Sequence, residues 1–195
     1  AQTMPRDTDV TERTAPELLL TRPQAASDSF AAYCRAVRPD LRATVAPLME
    51  VVPVTAPHIG DDIAGLILTS VNGVPARAPR PLPVYAVGPR TAEVAEAAGF
   101  DIREVAPDAE TLMGRMLLLR PAGPLLHLRG AHARRAIAQE LTAAGLAAFE
   151  QVVYDQPACR MNAEGRAALA GAVPLCVPLF SPRSAALFRE AAAEA

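Results

Sequence analysis

Five short polar clusters stand where apolar runs end: Thr21-Arg22, Thr69-Ser70-Val71-Asn72, Gly88-Pro89-Arg90-Thr91, Arg129-Gly130 and Ser181. Their residue types share one chemistry. Arginine offers a forked, permanently charged donor to carboxylates, and serine, threonine and asparagine add neutral hydrogen bonds. The Gly88-Pro89 pair opens a helix whose first N–H groups lack intrahelical partners, with the Thr91 hydroxyl beside them, and such a start favours an anion. Together the clusters describe a surface for a large ligand with several carboxylates or phosphates. Standard catalytic signatures are missing: there is no G-x-G-x-x-G, P-loop, G-x-S-x-G or H-E-x-x-H. Asp61 and Asp62 are adjacent, which suits a solvated loop better than a shared acid–base site. His58 falls in a loop, and His127 and His132 flank a strand-to-helix turn off any common face, so no metal site is expected. Cys34, Cys159 and Cys176 are odd in number and scattered, so buried, reduced thiols are expected instead of a disulfide framework or zinc centre.

Holding these clusters at one edge falls to the elements before them. The clearest is VYAVGPRTAEVAEAAG, residues 84–99. Residues 84–87 are an apolar, β-favouring run long enough for a buried strand. Gly88 and Pro89 suit the N-cap and first position of a helix, good helix formers follow through residue 98, and Gly99 supplies the stop. Upstream, residues 1–16 read as a disordered lead-in and residues 17–21 as the first strand. Pro23 then starts a helix with Phe30, Cys34 and Val37 on one face. Residues 41–47 and 49–54 are extended in pattern, Pro53 marking an exposed edge.

Residues 64–69 (AGLILT) give a strongly apolar strand and residues 102–105 a weaker one, and Asp108 caps a helix reaching Leu118. Residues 124–128 (PLLHL) form a strand stopped by Arg129-Gly130. An amphipathic helix follows, with Ala133, Ile137 and Leu141 inward, Arg134, Arg135 and Glu140 outward, and Gly145 as its cap. Residues 149–154 are extended, 162–170 a short helix and 175–180 a strand, and Ser181-Pro182 opens the last helix. Strand and helix alternate almost throughout, which predicts an α/β fold with parallel sheets. Each cluster then lies at a carboxyl strand end, where open α/β sheets bind ligands.

Composition narrows the class further. A chain of 195 residues holds one domain or two small ones, and with abundant alanine, five Phe, three Tyr and no Trp its cores must be aliphatic. The net charge of −2 calls for neither a nucleic-acid nor a membrane partner, and all 19 basic residues are arginine. The first 17 residues lack an apolar run fit for a signal peptide, so a cytoplasmic location is expected.

A faint internal echo points to two related units. LLLTRP at Leu18 parallels LLHLRG at Leu125, each ending on Arg, and LILTSVNGV at Leu66 parallels PLFSPRSA at Pro178, each ending on Ser. The ordered set LLLTRP, GLILTSVNGV, VYAVGPRTAEVAEAAG, LLHLRG, VVY and LFSPRSA resembles uroporphyrinogen-III synthases from about Leu18 onward. That resemblance implies two flavodoxin-like parallel-sheet domains joined by a two-stranded linker, with the active cleft between them. Domain 1 would comprise residues 17–46 plus 157–195, domain 2 residues 50–151, and the linkers residues 46–54 and 151–157. Relative to the family pattern the chain stops before a further strand and a G-x-x-TA loop, so domain 1 is expected to be truncated at its C-terminal part.

The resemblance implies cyclisation of hydroxymethylbilane to uroporphyrinogen III, with loss of water and inversion of ring D, by a cofactor-free, monomeric lyase of tetrapyrrole biosynthesis. The pyrroles supply the reactivity, so the protein must hold a flexible polycarboxylate for the substituted position of ring D to attack. The clusters supply Arg22, Ser70, Asn72, Gly88, Thr91, Arg129, Gly130 and Ser181 as substrate-binding residues. In the family's pattern Tyr154 is the tyrosine that would assist departure of the hydroxyl group. A free phenol, with a pKa of about 10, stays protonated at neutral pH and is a weak acid of the right kind. Tyr154 also fits a linker tyrosine covering the hinge. A non-catalytic two-lobed binding protein for an anionic ligand would show the same clusters.

Overall fold

A computed structural model describes residues 15–133 and 135–194. The chain divides into two compact units, one built from the segments up to Glu50 and from Ala158 onward, the other from Val51–Pro157. Of the lead-in, residues 1–14 lie outside the described residues, as does Arg134 of the expected amphipathic helix.

The first unit contains β1 (Glu17–Leu20), α1 (Gln24–Val37) and β2 (Ala43–Val45), and the second begins with β3 (Val52–Pro53). There follow β4 (Gly65–Leu68), a 3₁₀ turn (Val71–Gly73), β5 (Pro83–Val87), α2 (Pro89–Ala97), β6 (Asp101–Ala106) and α3 (Ala109–Leu119). Then come β7 (Leu125–Gly130), α4 (Ile137–Ala143) and β8 (Ala148–Asp155). The chain returns to the first unit with α5 (Ala163–Ala170), β9 (Leu175–Cys176) and α6 (Pro182–Ala193). This is a mixed α/β fold dominated by parallel sheets.

In the second unit the strand order is β3-β8-β7-β4-β5-β6, parallel throughout except for β3 against β8. Its central strands β4 and β5 are almost entirely apolar because both faces are covered. Leu66, Leu68, Val84 and Leu128 pack with Ala92 and Ala95 of α2 on one face, while Ile67, Tyr85 and Leu125 pack with Met113, Met116 and Leu141 of α3 and α4 on the other. Numbered from β4, the five parallel strands run 3-2-1-4-5. That is the Rossmann-type order and departs from the 2-1-3-4-5 order expected of a flavodoxin-like domain. The order reverses between β4 and β7, so the crevice of this sheet opens where Thr69-Ser70 and Arg129-Gly130 emerge.

In the first unit β1 is flanked in parallel by β2 and β9. Helix α1 covers one face through Phe30, Ala31 and Cys34 over Leu18 and Leu20, and α5 and α6 cover the other through Leu169, Leu187 and Phe188 over Leu19. The reversal here falls between β1 and β9.

Local signals act as the sequence anticipates at α2, α3 and α6. Gly88 adopts φ 80°, a conformation that a side chain resists, and Pro89 takes the first helical position. Asp108 accepts from the Thr111 N–H at 2.7 Å and Ser181 from the Ser184 N–H at 3.0 Å, each capping its helix. Several other expectations need correction. Val37 is 73% exposed, not core-facing. The 14 residues of α1 span about 21 Å, against about 13 Å for a four-residue strand, so the last turn overshoots the sheet. Ala133 is exposed, because α4 begins only at Ile137. The strand expected over residues 175–180 pairs only through Cys176, since Pro178 has no N–H to donate. Arg129 and Gly130 do not stop β7 but belong to it, because the long neighbour β8 offers Val152 and Tyr154 as partners. The thiols are not buried: Cys176 is exposed, and Cys34 and Cys159 are half-buried.

Candidate functional site

In the second unit, parallel pairing aligns the carboxyl ends of β5, β4, β7 and β8 along one edge, with neighbours about 4.8 Å apart. Gly88, Ser70, Gly130 and Tyr154 emerge there from successive strands of the sheet. Ser70 caps the 3₁₀ turn, its hydroxyl accepting from the Asn72 N–H at 3.3 Å, and Asn72 is exposed. Thr91 lies in the first turn of α2 but is only 5% exposed, so its side chain belongs largely to the core.

Tyr154 and Gly130 form the tightest arrangement of this edge. They are register partners across β7 and β8, and the tyrosine ring occupies the space that a Gly130 side chain would take. A Cβ on Gly130 would lie 2.6 Å from Cε2, 2.7 Å from Cζ and 3.0 Å from the hydroxyl oxygen. Gly130 therefore works by admitting the ring. Tyr154 also packs against the apolar core below it, which fixes the ring and leaves it half-buried at the sheet's edge.

Arg129 is less available than its sequence position suggests. Its Nη2 donates to Glu150 Oε1 at 2.7 Å, and its Nη1 donates to the carbonyl of Gly130 at 2.9 Å. Two residues back along the same face, His127 is 1% exposed, its Nε2 lying 3.2 Å from the Thr69 hydroxyl. Burial pushes the His127 pKa down to about 4; Glu150 opposes this and Arg129 adds to it. The histidine is thus a neutral hydrogen-bonding group. The bond from Arg129 holds the Glu150 carboxyl below the usual carboxylate range. A cavity of about 370 Å³ opens beside this network, with Arg129, Arg135, Gln139 and Glu150 as its polar lining. Arg135 is held by Glu140, with both carboxylate oxygens 2.9 Å from its Nε. Among the described residues no cluster of His, Cys, Asp and Glu fits a metal ion.

In the first unit, Arg22 leaves β1 and Ser181 caps α6 after β9. Ser181 Oγ lies 2.7 Å from Ser184 Oγ. The Arg22 guanidinium lies over the Phe180 ring, 4.6 Å from its centroid, and Phe180 meets Phe30 edge to face at 5.3 Å. Thus in each unit a strand that ends on or leads to an arginine pairs with one that leads to a serine, β1 with β9 and β7 with β4.

Sequence reasoning missed Glu150 and Phe180. Glu150 was legible only as a polar residue in FEQVVY; its pairing with Arg129 needs the β7–β8 neighbourhood. Phe180 stands directly before Ser181, yet reads as one more apolar strand residue.

Both units belong to the class of open α/β sheets whose ligands are taken at the carboxyl ends of the strands. Residues 28–195 match the family described as "Uroporphyrinogen-III synthase HemD", and the chain belongs to that family. Similar solved structures include uroporphyrinogen-III synthetase from Helicobacter pylori, with 17% identity and a TM-score of 0.58 over 90% of this chain and 78% of that one. A mutant uroporphyrinogen III synthase from the extremely thermophilic bacterium Thermus thermophilus gives 15% identity and a TM-score of 0.52 over 91% of this chain and 77% of that one. At these identities the likeness is one of fold. Comparison with curated protein sequences gave no match.

Proposed function

We propose that the chain is a uroporphyrinogen-III synthase, a carbon–oxygen lyase that closes hydroxymethylbilane with loss of water and inversion of ring D. The observation that carries this reading is the family match across residues 28–195. The arginines and capped helix starts at the strand ends support it, since they suit a small molecule bearing many carboxylates. The same reading makes the protein a cytoplasmic monomer; among the described residues no helix is long and apolar enough to cross a membrane.

Tyr154 donates its phenolic proton to the departing hydroxyl group, which leaves as water while the pyrrole nitrogen supplies the electron pair. The substituted carbon of ring D attacks the resulting methylene electrophile. The bond from that carbon to its old bridge then breaks, and the freed bridge methylene bonds the unsubstituted α-carbon of ring D on the other side of its nitrogen. Loss of the ring proton restores the pyrrole and returns a proton to the phenolate, so no cofactor is needed. Gly130 keeps Tyr154 in place, and Arg22, Ser70, Asn72, Gly88, Thr91, Arg129 and Ser181 serve the carboxylates. Arg129 does so while tied to Glu150, and Thr91 chiefly through its backbone N–H.

Residues 17–46 plus 157–195 act as one domain and residues 50–151 as the other, with residues 46–54 and 151–157 as linkers. The antiparallel pairing of Val52 with Asp155 and of Pro53 with Tyr154 supports that assignment. The first unit's β2-β1-β9 order suits a flavodoxin-like sheet; the second is Rossmann-type in its order. Incubation with freshly prepared hydroxymethylbilane, followed by chromatographic separation of type I from type III uroporphyrin, tests the function. Type III product is expected, and type I alone would overturn it.

A further inference from the structure

Arg22 differs from its counterpart Arg129 in one respect. Arg129 spends its donors on Glu150 and on backbone carbonyls. Among the described residues no carboxylate pairs with Arg22, and the guanidinium instead rests on the Phe180 ring. The backbone beneath it is fixed, because the Ser27 hydroxyl donates to the Arg22 carbonyl at 2.9 Å. Phe30 meets Phe180 edge to face, yet Phe180 remains 49% exposed. Its neighbour Leu179 is exposed too, so the two form an apolar surface beside the guanidinium. Arg22 follows β1 and Phe180 follows β9, the two neighbouring strands between which the order reverses and open sheets receive ligands.

We propose that Arg22 stacked on Phe180 forms a built subsite of the first unit that takes one acid-bearing pyrrole, the guanidinium binding the carboxylate and the exposed ring surface packing against the pyrrole. The proposal rests on the synthase reading and assigns it a specificity-determining residue, Phe180. The physical reason for pairing the two groups is preorganisation. A stacked guanidinium loses little side-chain freedom when a carboxylate arrives, and its planar fork stays aligned for a bidentate bond. The aromatic surface adds contact with a flat, electron-rich ring, which a simple anion such as phosphate does not offer. Phe180 is thereby a positioning residue for Arg22 as well as a contact surface.

The test titrates the whole chain and its Arg22→Ala, Phe180→Leu, Phe180→Tyr and Arg22→Ala/Phe180→Leu variants with uroporphyrin III, following porphyrin fluorescence. Arg22→Ala should weaken binding about ten- to a hundredfold, the loss of a charge-assisted bond. Phe180→Leu, which keeps apolar bulk but removes the aromatic face, should weaken it about three- to tenfold. Phe180→Tyr should retain parent affinity. The double variant should lose less than the product of the two single losses, because part of the ring's effect runs through the guanidinium, while melting temperatures stay together. Independent losses that multiply in the double variant, parent affinity in both single variants, or a parent chain that does not bind uroporphyrin III would each overturn the subsite. Product analysis keeps the two readings apart. A parent chain that yields type III product while both variants keep its affinity refutes the subsite alone. One that yields only type I refutes the synthase reading, and the affinities still decide the subsite.

Discussion

Adding one methyl group at Gly130 tests whether the reaction depends on where the Tyr154 ring lies. The Cβ of Gly130→Ala would sit 2.6 Å from Cε2, and ordinary contact begins at 3.4 Å, so the ring must retreat by 0.8 Å or more. The clashing atoms are the far end of a half-buried side chain at the sheet's edge, which can tilt outward while its Cβ end keeps its packing. Stability should therefore change by less than about 1 kcal/mol. A reacting group misplaced by about 1 Å costs roughly a hundredfold, so kcat should fall by about ten- to a hundredfold while uroporphyrin affinity stays near that of the parent. Tyr154→Phe, which removes the acid itself, should cost about 10²–10⁴-fold. The double variant should be no slower than Tyr154→Phe, since displacing a ring without its hydroxyl group removes nothing further. Parent-like turnover in Gly130→Ala, or the same fractional loss in the Tyr154→Phe background, would refute the role assigned to the pair.

Four further outcomes follow from the geometry. His127 is held neutral with its pKa lowered from 6.5 to about 4, so the unfolded chain binds the proton more readily. Its contribution is intact above pH 6.5 and is lost progressively as pH falls towards 4, by about 3 kcal/mol in all; denaturant unfolding across that range should show this limb, and His127→Gln should remove it. Glu150→Gln strips Arg129 of its partner, and unfolding at pH 7 should show a loss of about 1–3 kcal/mol. Ser70→Ala removes one neutral hydrogen bond, so turnover on the bilane should stay within about tenfold of the parent. Ser181→Ala removes the cap of α6, and thermal unfolding should register a loss of about 1 kcal/mol.

The sequence by itself determined the features that act over a few residues. The strand-loop-helix of residues 84–99 could be read directly, because Gly88, Pro89 and Gly99 each permit a local geometry that other residues resist. Asp108, Asn162 and Ser181 marked helix starts for the same reason: a side-chain oxygen reaches an N–H three residues away. Alternating strand and helix patterns were enough to define the α/β class. What depended on neighbours distant in the chain was decided only by the tertiary structure. The 3-2-1-4-5 order of the second sheet arises from which strands share a ladder, and periodicity carries no record of that. Val37 and Ala133 matched an inward face by spacing but lie beyond where the packed surfaces end. Arg129 read as a free carboxylate fork until β8 placed Glu150 beside it, 21 residues along the chain. Among the described residues Arg22 meets Phe180, which follows β9, instead of an acid, and Tyr154 gained its place because the residue opposite it on β7 has no side chain.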